Sequence, residues 1–201
     1  MTRPLPEGLS VRVLTGPDLE AALDDVAKLR ITVFRDWPYL YDGSIAYERE
    51  YLQTYRDSAG AVLVGAFDGD RLIGAATGTP MEDHATEFAA PFAKVGVPLE
   101  RIFYCAESVL LPEYRSLGIG HRFFDLREDH ARGLNRSHVA FCSVMRPSDH
   151  PARPQNYRSN HVFWEKRGYA EMLGGMAEFS WRDLGDDSET AKPLQFWMRQ
   201  L

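Results

Sequence analysis

A mixed α/β sheet flanked by helices is the fold class this sequence predicts, and three observations predict it. Strand-like and helix-like segments alternate through the first half of the chain. Hairpins are expected towards both ends, one of them turning at Asp68-Gly69-Asp70. Between them lies an apolar run from Ile102 to Leu111, interrupted only by Glu107. It is stopped by Pro112 and followed by a helix with apolar positions at Ile119, Phe123 and Leu126 and a C-terminal Gly133. The 201 residues fit one sizeable core, so a single domain over residues 1–201 is expected.

Each element has its own local reason. Val11 to Leu14 alternates as a first strand. Pro17 suits a first helical position with Thr15 near the cap, and Leu19, Leu23, Val26 and Val33 mark one helix face running to about Phe34. Ser44 is the expected N-cap of a second helix whose apolar side is Ile45, Tyr51, Leu52 and Tyr55. Ala61 to Phe67 and Arg71 to Thr77 are paired strands. Val139 to Val144 is another strand, and a Pro-stiffened loop from Met145 to Ser159 carries Arg146, Arg153 and Arg158. A helix from about Ser159 ends at Gly168. Tyr169 to Trp181 and Leu194 to Met198 are the last strands, joined by a polar connection from Arg182 to Lys192.

Composition excludes several classes. A net charge of −6 argues against a nucleic-acid partner and mildly favours a neutral or cationic one. No apolar run approaches the ~20 residues that cross a bilayer, and Met1 to Pro6 lacks the apolar core of a secretion signal. Cys105 and Cys142 lie in strand-like apolar runs and read as buried thiols of a reducing cytoplasm, with no metal-ligand spacing. No metal is expected.

The turn between the central strand and its helix reads Arg115-Ser116-Leu117-Gly118-Ile119-Gly120. Two glycines at a helix entrance leave backbone N–H groups facing outward at the positive end of the helix dipole, a setting for a pyrophosphate. The pattern fits neither the mononucleotide loop nor the full dinucleotide fingerprint. Together with Pro112-Glu113-Tyr114 it resembles motif A, Arg/Gln-x-x-Gly-x-Gly/Ala, of the GNAT superfamily of acyl-CoA-dependent N-acyltransferases. A second block, Phe163-Trp164-Glu165-Lys166-Arg167-Gly168-Tyr169, resembles that superfamily's later helix ending. The resemblance covers about Val11 to Trp181 and is tightest from Ile102 to Tyr169.

The resemblance implies a central, mostly antiparallel sheet with the coenzyme at a splayed strand, and acetyl-CoA as co-substrate. The pantetheine arm would pair with the backbone of Ser108, Val109 and Leu110, and the Ser108 N–H would face the thioester oxygen. Arg115, Ser116, Leu117, Gly118, Ile119 and Gly120 would hold the pyrophosphate. Glu107 is either the base that removes a proton from the incoming amine or a structural acid bonded to backbone or arginine. Tyr104 sits across the strand where some members carry their base. The family's usual thiolate donor is a tyrosine, but Trp164 occupies that position beside the coenzyme, which leaves His161, Tyr157 or water to protonate the thiolate. Trp37, Tyr39, Tyr41 and Asp42 are the candidate acceptor-binding residues, with ring faces and a carboxylate for a cation. The segment Met81 to Arg101 departs from the family pattern and reads as a substrate-side wall, a subunit contact or a tolerated surface insertion.

Two functions follow. The first is transfer of an acetyl group from acetyl-CoA to a primary amine of a small molecule or peptide. The second is a non-catalytic acyl-CoA-binding sensor or interaction module, which the missing tyrosine favours. A homodimer is left open.

Overall fold

The computed structural model describes residues 4–93 and 95–201, with no side chains described for residues 85–87. The sequence stretch read for a secretion signal therefore falls partly outside the described residues, at residues 1–3. Eight strands form one sheet: β1 (Leu9–Leu14), β2 (Val62–Asp68), β3 (Arg71–Pro80), β4 (Ile102–Tyr104), β5 (Ser108–Leu110), β6 (His138–Val144), β7 (Ala170–Arg182) and β8 (Glu189–Gln200). Their order is β1-β2-β3-β4-β6-β8-β7, with β5 also on β3. Every pairing is antiparallel except β4 with β6. Among the described residues five α-helices pack around it: α1 (Pro17–Phe34), α2 (Ile45–Asp57), α3 (Ala85–Phe92), α4 (Ile119–Gly133) and α5 (His161–Lys166).

Local signals explain most of these boundaries. Pro17 opens α1 with Asp18 and Glu20 in its first turn, although the cap is Gly16, with no side-chain hydrogen bond, rather than Thr15. Ser44 caps α2 as expected, its hydroxyl accepting from the Tyr47 N–H at 3.3 Å. Asp68 pairs with Arg71 across a tight turn containing Gly69 at φ 55°.

Three boundaries differ from expectation. The run Ile102 to Leu111 is not one strand but two, because the chain bulges at Cys105-Ala106-Glu107. The connection expected from Arg182 to Lys192 is shorter, with Arg182 paired to Glu189 and residues 183–188 left between the two strands. The last helix begins at His161 rather than Ser159, so Tyr157 lies in the preceding loop.

Side chains alternate across the sheet and separate the helices. A Cβ at Gly74 would meet Phe123 of α4, whereas Thr77, three residues on and so on the other face, has Tyr55 of α2 beside it. So α1 and α2 cover one face and α4 covers the other. The segment Met81 to Arg101 supplies a second core rather than a surface appendage. Met81, Phe88 and Phe92 are fully buried there against Ile102, Tyr104 and Phe196. Phe88 stands edge-on to Phe179 and Phe196, with ring centroids 5.4 Å and 5.1 Å away. Burying each such ring contributes ~1.5–3 kcal/mol, which gives this half of the sheet its own anchor.

Candidate active site

The central strand forks. Cys105 donates its N–H to the Ala140 carbonyl at 2.8 Å, the last bond from this strand to β6. Beyond it, β5 pairs only with β3 while β6 continues beside β8. The Glu107 carbonyl accepts from the Thr77 N–H at 3.1 Å and so faces β3. In a planar trans peptide C=O and N–H point in opposite directions, so the Ser108 N–H is aimed into the fork. Leu110, two residues on, presents its N–H to the same side.

The fork leads into the glycine turn. Tyr114 donates to Asp68 at 2.8 Å, Arg115 reaches back to the Leu110 carbonyl at 3.4 Å, and Ser116 stands at φ 65°. Gly118 takes φ 91° as the cap of α4, a left-handed conformation that costs glycine least. Among the described residues, the backbone amides of residues 116–120 donate to no backbone carbonyl. That leaves a ring of free donors at the positive end of a four-turn helix. Trp164 lies on α5 with its ring against Phe141 (4.9 Å), Trp197 (5.2 Å) and His161 (5.5 Å). His161 is exposed at its edge and sits 5.0 Å from Trp197.

Glu107 points to the opposite face from Ser108, into a buried polar cluster. Its Oε1 lies 2.5 Å from Arg30 of α1, and its Oε2 accepts from both Tyr51 and Tyr55 of α2 at 3.2 Å. Arg30 also binds Glu48, which is completely buried. Burial first, and then the neighbouring Glu107 charge, raise the pKa of both tyrosines, so the phenols remain donors. Arg30, Glu48 and the two tyrosine hydroxyls are functional candidates that sequence reasoning missed. The signal was present, because Arg30 and Glu48 interrupt the apolar faces of their helices at Val26–Arg30–Val33 and Glu48–Leu52–Tyr55.

The acceptor-side loop divides into two parts. Tyr39 is held in packing, with its ring 4.3 Å from Phe34 and 5.9 Å from Trp181. Burial raises its pKa, and Cys142, Glu107, Arg30 and Tyr157 all lie within electrostatic reach of its hydroxyl. Burial first, and then the neighbouring Glu48 charge, raise the pKa of Tyr41, and Asp42 pairs with Arg182 at 2.7 Å and Arg35 at 3.8 Å. Trp37 instead faces the Pro-rich loop, 5.1 Å from His150 and 6.0 Å from Tyr157, and its buried indole N–H has no partner among the described residues. Arg146 ties the two loops together by binding the carbonyls of Pro38 and Tyr39 and both oxygens of Asp183. Tyr104 hydrogen-bonds Cys142 at 3.3 Å in the second core. Among the described residues no group of His, Cys, Asp or Glu is placed to hold a metal ion, and no helix is long and apolar enough to cross a membrane.

Comparison with known proteins shows the family. The model of the Acetyltransferase (GNAT) family matches residues 26–169, most of the chain and the whole of the fork, turn and α5. The chain belongs to the GNAT acetyltransferase family. It is thus an acyl-CoA-dependent transferase by family. A search of curated proteins finds no match. Solved structures share the fold at low identity. The ribosomal-protein-alanine N-acetyltransferase of Brucella melitensis is 13% identical, with 96% of this chain and 99% of that one covered at TM-score 0.61. An acetyltransferase of Streptococcus agalactiae is 12% identical over 97% and 99% of the two chains, at TM-score 0.59. The yncA protein of Salmonella typhimurium, solved with its cofactor acetyl-CoA, is 10% identical over 97% and 95%, also at TM-score 0.59. The match to this GNAT model takes in the glycine turn, Trp164 and the second-core segment around α3.

Proposed function

We propose that the protein is a cytoplasmic N-acetyltransferase that moves the acetyl group of acetyl-CoA to a primary amine of a small molecule or peptide. The observation that carries this reading is the pairing of a fork beside β5 with free amides at residues 116–120. A pantetheine arm needs unpaired strand backbone and a pyrophosphate needs converging N–H donors, and here the two are consecutive in the chain.

In the proposed reaction the pantetheine lies along Ser108, Val109 and Leu110, and the Ser108 N–H donates to the thioester oxygen. Arg115 and the backbone from Ser116 to Gly120 bind the pyrophosphate, with Trp164 beside the coenzyme. Glu107 takes the proton of the ammonium, directly or through water, with Tyr51 and Tyr55 as its partners. The freed amine attacks the thioester carbon, the C–S bond breaks, and the departing thiolate takes a proton from His161, Tyr157 or water. An amine acceptor is supported by the charge of the buried cluster on the α1/α2 face, where Glu48 and Glu107 share the single guanidinium of Arg30. Trp37 and its unpartnered N–H line the acceptor end, with Tyr39, Tyr41 and Asp42 behind it.

The packing of Trp164 among Phe141, His161 and Trp197 favours a second reading, an acyl-CoA-binding module without turnover. Calorimetry with acetyl-CoA, followed by free-thiol detection across a panel of amines, tests both. Binding with amine-dependent CoA release supports the enzyme, binding without release supports the module, and no binding removes both.

A further inference from the structure

The apolar stripe of α4 runs Ile119, Phe123, Arg127, Ala131, and its one charged member is also among the largest fully buried side chains, 1% exposed. Among the described residues no carboxylate pairs with Arg127. Its neighbour Glu128 spends its oxygens on Arg167, Tyr169 and Arg199. Burying an unpaired guanidinium is costly, so its donors must be well spent. Arg127 Nε donates to the Phe123 carbonyl at 3.1 Å within the helix. Nη1 donates to the carbonyls of Thr77 at 3.1 Å and Glu107 at 3.0 Å, and Nη2 donates to the Ser108 hydroxyl at 2.8 Å. One planar fork therefore grips both strands at the bulge, and it grips the Glu107–Ser108 peptide from both ends.

We propose that Arg127 is a positioning residue for acyl transfer: by fixing the Glu107 carbonyl and the Ser108 hydroxyl it locks the peptide between them, and so aims the Ser108 N–H at the thioester oxygen. The inference rests on the acetyl-CoA reading above. Rotation of that peptide would swing the N–H out of the fork while leaving the strand ends in place. The guanidinium also adds positive charge behind the donor, where the carbonyl oxygen becomes negative in the transition state. Arginine suits this task because a rigid fork meets several acceptors at once, which a lysine ammonium on a flexible stem cannot do.

The test uses Arg127→Lys and Arg127→Gln in the full chain. Expected is a fall in kcat of about 10–10²-fold, with the affinity for free CoA, which has no acyl carbonyl, little changed. The pH profile should keep its shape, since no titrating group is removed. The carbonyl stretch of bound acetyl-CoA labelled with ¹³C at the acetyl carbon reports directly. It should lie below that of the free thioester in the wild-type protein and return towards it in the variants. A purely structural arginine would lower thermal stability and CoA affinity without moving that band. Unchanged kcat and an unchanged band in Arg127→Lys overturn the role. Should neither variant fold, an unshifted band in the wild-type protein overturns it equally. Absence of acetyl-CoA binding by the wild type would instead remove the proposed function itself.

Discussion

Arg30 and Glu107 meet 2.5 Å apart beneath the forked strand, and the same guanidinium also holds Glu48. The proposed base is thus fixed by an arginine on one oxygen and two phenols on the other, a geometry that binds a carboxylate whether or not it also moves protons.

Two substitutions separate those roles. Glu107→Gln should lower kcat by ~10²–10⁴ at neutral pH, with part of the loss recovered at high pH, where more amine arrives neutral. A structural acid would give a loss that does not depend on pH. Arg30→Met should cost ~3–5 kcal/mol in urea unfolding, because it strands two buried carboxylates.

The two glycines of the turn should respond differently to alanine. Gly118→Ala places a side chain at φ 91° and should destabilise the protein by about 1 kcal/mol. At Gly120 a Cβ would sit 3.8 Å from the Phe163 ring, an ordinary contact, so Gly120→Ala should be tolerated. Aspartate at either position puts a carboxylate among the free amides and should abolish acetyl-CoA binding by calorimetry.

Within the acceptor loop, Tyr39→Leu and Trp37→Leu should diverge. Tyr39 is wedged against Phe34 and Trp181, and its loss should cost ~2–4 kcal/mol of stability. Trp37→Leu should leave the melting temperature nearly unchanged and raise the acceptor's KM without altering acetyl-CoA affinity. The reverse pattern would exchange their roles.

Much of this was legible in the sequence. Helix ends, the hairpin and the glycine turn follow from local chemistry, as at Pro17, Ser44 and Gly118. The bulge at Cys105 to Glu107 was not, because the groups that hold it are non-local: the Thr77 N–H and Arg127, twenty residues on, share the Glu107 carbonyl. The second core was hidden for a similar reason. Met81, Phe88 and Phe92 fall at helical spacing, but spacing alone does not name what they pack on, and their partner Phe196 lies far along the chain. Charged residues on apolar stripes were the overlooked signal, since Arg30, Glu48 and Arg127 all lie where helix periodicity calls for a hydrophobe.

Stability should depend on pH through Asp183. Burial pushes its carboxyl up, but hydrogen bonding and charge from Arg146, with Lys192 beside them, outweigh this and hold it below the ordinary carboxylate range. A lowered folded-state pKa contributes stability that is complete above the unfolded value near pH ~4 and is lost as pH falls through the folded one. Arg146→Met should therefore cost about 3 kcal/mol at neutral pH. Urea titrations should show the gap from wild type narrowing below pH ~4. It should not close, because the bonds to Pro38 and Tyr39 are lost at every pH.

A forked sheet has inner margins as well as outer ones, and unpaired strand margins are where foreign chains add and aggregates begin. Here the margin on β5 is only three residues long, and its base is shut by the bond from Cys105 to Ala140. An intruding polypeptide would gain too few ladder bonds to extend a sheet from it, whereas a slender arm carrying a pair of amides needs no more than that. The brevity of β5 thus disfavours sheet extension at this margin and, on the proposed function, suits the opening to a coenzyme arm.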